Sequence, residues 1–133
     1  MLGRVDATQA IAEMTEISPQ VREVVVVGAD GAVIGSNAAT PERAQTLADG
    51  AGRLLAAADR DQPELAQLEA STTAGSVFVV RDGERVIAAT TTPEPTVGLV
   101  FYDLKTCLRS IEGPKPKRRR RAAAGEEEAD ASA

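Results

Sequence analysis

Four consecutive β-branched residues, Val24, Val25, Val26 and Val27, limit what this chain can become. Alternate side chains of a strand point to opposite sides of its sheet. A run that is apolar at every position therefore reads as a strand buried on both faces. Ala29, Asp30 and Gly31 follow it. Asp-Gly between two apolar runs signals a hairpin, because glycine accepts the positive φ the turn needs. The return strand is 32–36. Such a hairpin requires further strands beside it and helices over both of its faces.

The remaining segments supply both. Asp6 or Thr8 can cap a first helix running to Ile17, with Ala7, Ala10, Ile11, Met14 and Ile17 forming one apolar stripe. Pro19 closes it. A second helix opens at Thr40-Pro41-Glu42, where threonine is a good cap and proline at the first position loses no hydrogen bond. It runs to Asp59 through Ala44, Leu47, Ala48, Ala51, Leu54, Leu55 and Ala58. Gly50 and Gly52 lie inside it, each costing about 1 kcal/mol relative to alanine. Close approach of another backbone would offset that. After a loop at Asp61-Gln62-Pro63, strands are predicted over 65–73, 76–81 and 85–92, separated by Ala74-Gly75 and Asp82-Gly83-Glu84. The segment 96–111 fits either a strand from Val97 to Tyr102 or a helix. The three- to four-residue step through Leu104, Leu108 and Ile111 favours the helix, with Thr96 as its cap. Gly113-Pro114 ends it. The predicted class is α/β of the α+β type: a five-stranded antiparallel sheet with helices on both faces, in the order α-β-β-α-β-β-β-α. No internal repeat is present.

Composition removes several function classes. Residues 1–113 carry 9 basic and 16 acidic side chains, and residues 114–133 carry 6 and 4. The predicted folded domain, 1–113, is thus acidic and repels nucleic acid. Aromatic residues make up only 2%, which leaves few platforms for stacking bases. There is no histidine and one cysteine. An intrachain disulfide, a Cys/His zinc site and a Ser-His-Asp triad are excluded. The single cysteine and the lack of an apolar signal core near Met1 lead us to expect a cytoplasmic protein. No apolar run approaches the roughly 20 residues that span a bilayer.

Individual residues offer little chemistry. Gly28, Gly31 and Gly35 are spaced G-x-x-G-x-x-x-G, which matches neither a dinucleotide fingerprint nor a phosphate-binding loop. They read as hairpin punctuation. Asp30, Asp82, Glu84 and Asp103 read as solvated turn or helix residues, and Cys107 as a buried structural thiol. No catalytic residue, metal ligand or cofactor is predicted. Lys115, Lys117, Arg118, Arg119, Arg120 and Arg121 form a basic cluster in the tail 114–133, which is expected to be disordered. It reads first as a solubilising segment partly neutralised by Glu126, Glu127, Glu128 and Asp130. Docking to an anionic membrane or an acidic partner is the next reading, and nucleic acid the weakest.

The order of elements, the hairpin over 21–36 and the stretch Thr96-Val97-Gly98-Leu99-Val100-Phe101-Tyr102-Asp103-Leu104 resemble the roadblock family, small domains related to dynein light chains. The resemblance covers residues 6–111. It implies a helix pair on one sheet face and the second helix on the other. It also implies a homodimer joined through second helices and third strands, and a Ras-like small GTPase as partner with no catalytic side chain contributed. None of Arg43, Arg53, Arg81 and Arg85 stands out as an arginine finger. The second helix is small-residue-rich around much of its girth, so cover on a second side is expected, although a plain alanine-rich helix has the same composition. The interface residues expected are Ala44, Leu47, Ala48, Ala51, Gly52, Leu55 and Leu68. Two alternatives stay open: an adaptor for a non-GTPase partner, and a small-ligand sensor on a profilin-like sheet.

Overall fold

The computed structural model describes residues 6–59 and 67–111. The tail at 114–133, with its basic cluster, lies outside them. Asp6 caps α1 (Ala7–Ile17), its carboxylate accepting the Gln9 N–H at 2.8 Å. The hairpin strands are β1 (Val21–Val27) and β2 (Val33–Ser36). At the turn between them the Asp30 carboxylate accepts the Ala32 N–H at 3.0 Å, and Gly31 adopts φ +84°. Then come α2 (Pro41–Asp59), β3 (Gln67–Thr72), β4 (Gly75–Asp82), β5 (Arg85–Thr91) and α3 (Val97–Ser110). The element order matches expectation, and 96–111 is a helix. Thr96, however, makes no side-chain cap. The Thr96 N–H instead donates to Gln20 Oε1 at 2.6 Å, tying the start of α3 to the α1–β1 turn.

The five strands form one antiparallel sheet in the order β2-β1-β5-β4-β3. β1 lies inside it, and Val24, Val25 and Val26 are fully buried. Val24 and Val26 join Ile11, Met14, Phe78, Leu104 and Leu108 in the core beneath α1 and α3. Val25 points the other way, into a smaller core with Ala44, Ala48, Ala51, Leu55, Val79 and Ala88 beneath α2. Fully burying one such valine contributes about 1.5–3 kcal/mol. Phe78 of β4 lies in the larger core and the half-buried Phe101 of α3 packs against it edge to face, with centroids 4.9 Å apart.

Two features of the sheet had no clear signal in the sequence. β1 bulges between Val21 and Val24. The bulge is held by side chains: Thr90 Oγ1 accepts the Glu23 N–H, and Asn37 accepts the Val24 N–H while donating to the Arg22 carbonyl. Two glycines are fixed by neighbours. A Cβ on Gly35 would stand 2.5 Å from the Ala7 Cβ, so its absence lets α1 lie close against β2. A Cβ on Gly75 would collide with the Thr91 carbonyl oxygen, and its φ is +149°. Gly75→Ala is therefore expected to cost more than about 2 kcal/mol of unfolding free energy, measured by urea denaturation.

Candidate interaction surface

The inner side of α2 is spent within the chain. Ala44, Ala48, Ala51 and Leu55 are buried against Val25, Val79 and Ala88. This corrects the expectation that those four side chains face a second copy: their methyl groups let the helix lie close on its own sheet. Leu47 and Leu54 are half-buried on the margin of that core. α2 leaves exposed Glu42, Arg43, Thr46, Arg53 and Ala57 on its outer side and, on one flank of it, the stripe Gln45, Asp49, Gly52 and Ala56. Its spacing of four, three and four residues keeps the stripe on one helix face. Nothing lies within 4 Å of a Cβ built on Gly50 or Gly52. The backbone approach expected at these glycines does not come from the described residues of the chain.

β3 is an edge strand that pairs only with β4 among the described residues, in unbroken register from Gln67 to Thr72. Its outer row of backbone groups has no strand beside it among the described residues. Edge strands are usually guarded by lysine, proline or a bulge. QLEAST contains no lysine or proline, and its register carries no bulge. Leu68 and Ala70 are half-buried, and Leu68 lies with Val77 at the margin of the α2 core. The opposite edge is unlike it: β2 has four residues, its pairing shifts register near Val27, and α1 packs on it.

Of the four arginines that could serve as a finger, three are engaged. Arg43 pairs with Glu23 through both Nη2 and Nε, at 2.6 and 2.8 Å. Arg81 grips both carboxylate oxygens of Asp59 at 3.0 and 3.3 Å, and that guanidinium holds the Asp59 carboxyl below the usual carboxylate range. Arg85 donates to the Ile111 carbonyl at 3.1 Å, tying the end of α3 to the β4–β5 turn. Arg53 alone of the four has no polar partner among the described residues and is exposed. A cavity of about 490 Å³ opens beside the first turn of α2, lined by Arg22, Glu23, Arg43, Thr72, Ser76 and Thr90 among others. Its guanidinium at Arg43 is already neutralised by Glu23.

Elsewhere, Ile17, Val97, Leu99 and Tyr102 are exposed apolar side chains on α1 and α3. Asp103, read from the sequence as a solvated helix residue, is buried to 8% exposure. Asp30 and Glu84 are exposed in turns, and Asp82 is exposed at the end of β4, where its carboxylate accepts the Arg109 Nε–H at 3.4 Å. No group of three or more metal-ligating side chains occurs among the described residues, and none of the described helices is long and apolar enough to cross a membrane. Cys107 is buried, and desolvation, aided by the Glu13 carboxylate, pushes its thiol up to about 11. The thiolate stays a small minority below that pH. Alkylation by iodoacetamide at pH 8 is expected to be at least tenfold slower in the folded protein than in urea, followed by mass spectrometry.

No protein-family model matches the chain, and no curated protein matches it. Solved structures do. A roadblock/LC7 domain from Streptomyces avermitilis superposes with a TM-score of 0.68 at 17% identity, covering 80% of this chain and 94% of that one. MglB from Myxococcus xanthus gives 0.61 at 16% identity, covering 78% and 83%. An MglB in a tetrameric arrangement gives 0.58 at 14% identity, covering 76% and 81%. The arrangement of this sheet and its three helices is the roadblock/LC7 fold.

Proposed function

We propose that the chain is a non-catalytic, homodimeric regulator or scaffold for a Ras-like small GTPase, working in the cytoplasm. One observation carries the dimer: among the described residues, a β3 edge with no strand beside it lies on the same domain as an exposed α2 stripe in which a Cβ on Gly52 would meet nothing within 4 Å. Two copies joined edge to edge across β3 continue the sheet and bring their α2 helices together over one face. That satisfies the open backbone groups and gives Gly52 the close approach that offsets its cost; Gly50, two residues away, lies on another side of the helix. The solved MglB with a tetrameric arrangement supports self-association in a protein of this fold.

The GTPase comes with the roadblock resemblance. A platform of this kind acts by binding one nucleotide state of the GTPase more tightly than the other, and so shifts their populations. Hydrolysis chemistry stays with the GTPase's own groups. The basic cluster at 115–121 favours a second reading, in which an adaptor recruits an acidic partner or an anionic membrane through its tail, at about 1 kcal/mol per basic residue near a lipid surface.

Self-association is checked by sedimentation equilibrium at micromolar concentration, where a dimer is expected and a monodisperse monomer removes the reading. Gly52→Ala separates the two roles of that glycine. Its methyl group meets nothing within 4 Å among the described residues, so the monomer should gain about 0.5–1 kcal/mol while dimerisation weakens. For the partner, co-purification with Ras-like GTPases in both nucleotide states, followed by hydrolysis rates with and without the protein, is the measurement. Binding to one state over the other is expected, and binding to neither ends the GTPase reading. Retained GTPase binding after deletion of 114–133 sets the adaptor aside.

A further inference from the structure

The exposed stripe on α2 has the same spacing in both directions. Gln45, Asp49, Gly52 and Ala56 are spaced four, three and four. An interface between two copies about a twofold axis is isologous, so each contact occurs twice with the two copies exchanged. Edge-to-edge pairing of β3 about an axis normal to the sheet runs the two α2 helices antiparallel. In that arrangement the stripe can be laid on its own copy with Gln45 opposite Ala56 and Asp49 opposite Gly52. Gly52, with no side chain, leaves room for the Asp49 carboxylate. Arg53 is the next residue along.

The charges around this point are unspent. Arg53 makes no hydrogen bond or ion pair among the described residues, although Asp49 lies four residues before it on the same helix. Asp49 accepts only a hydrogen bond from Gln45 Nε2 at 2.9 Å. Arg43 at the start of α2 and Arg81 beside its end, by contrast, each have a carboxylate within the chain. We infer that Asp49 of one copy pairs with Arg53 of the other, twice over, and that these two contacts fix the register of the α2 helices. The inference rests on the dimer proposed above and assigns its partner groups.

Charge reversal tests it. Asp49→Arg sets two arginines against each other in each half of the interface, and Arg53→Asp does the same with carboxylates. Each is expected to weaken self-association about tenfold at low salt, by sedimentation, with the deficit shrinking at 1 M salt as screening shortens to about 3 Å. Both positions are exposed, and circular dichroism checks that each variant is folded. Arg53→Gln, which introduces no repulsion, should weaken the dimer about threefold and covers the case of a reversal that fails to fold.

The decisive arm mixes the two reversed proteins. One copy of a mixed dimer then carries arginine at both positions and the other carries aspartate at both. Every contact between position 49 of one copy and position 53 of the other joins opposite charges. Mixed dimers should therefore exceed the statistical half in native mass spectrometry. An ion pair confined to one helix cannot produce that excess. Self-association that survives both reversals, with statistical mixing, overturns this contact and leaves the dimer standing. A monomeric unsubstituted protein overturns both.

Discussion

Burial of β1 on both faces is the constraint from which the layers follow. Val24 and Val26 need one apolar cover and Val25 needs another. The two covers are unequal. α1 and α3 together close one face, and the larger core forms there around Ile11, Phe78 and Leu104. On the other face a single helix lies over five strands. A helix is about 10 Å across and neighbouring strands are about 4.8 Å apart, so α2 covers two or three of them. Ala88 of β5 and Val79 of β4 are sealed, but Val27 and Val33 toward β2 and Leu68 and Val77 toward β3 stay partly open. Incomplete cover on one side of the sheet is thus a consequence of helix number and strand number, before any partner is considered.

Small residues set how α2 meets the sheet. Ala44, Ala48 and Ala51 face Val25 and Ala88, so the helix axis approaches closely and little volume needs filling. The same choice keeps the inner row weak as a source of hydrophobic free energy, since a buried methyl contributes far less than a buried leucine. Leu55 supplies most of it. Two mid-helix glycines further lower the helix's own stability. An element built this way is held mainly by what packs on it.

The fold was legible because its signals were local and chemically distinct. The valine run, the Asp30-Gly31 turn, Pro41 behind Thr40 and the 104–108–111 step each act over fewer than ten residues. The structure repeats them with shifts of one to three residues at element ends. The α2 surface was only half legible. Composition showed that the helix is small-residue-rich all round, but alanine carries no mark of which side faces its own sheet. Register decided that, and it placed Ala44, Ala48, Ala51 and Leu55 inward. The polar spacing of Gln45 and Asp49 could have marked the outward stripe. Long-range clamps were out of reach: nothing near Asn37 in sequence announces that it bridges the β1 bulge, and nothing near Gly35 announces that Ala7 lies against it.

The two edges of the sheet are managed in opposite ways. An unpaired edge costs specificity, because any extended chain can add to it. β2 is short, bent by a register shift and packed under α1, so it offers little to pair with. β3 keeps a straight six-residue ladder and has polar Gln67, Glu69 and Ser71 alternating with Leu68 and Ala70. Alternation of that kind fixes which face of an added strand turns toward α2, since a one-residue slip would bury Glu69 beside Leu68. At β3 an unbroken ladder without lysine or proline coincides with incomplete cover by α2, while at β2 the register shift and α1 on the opposite face limit pairing. The two openings coincide on one side of the domain, and a single partner bound there can close both.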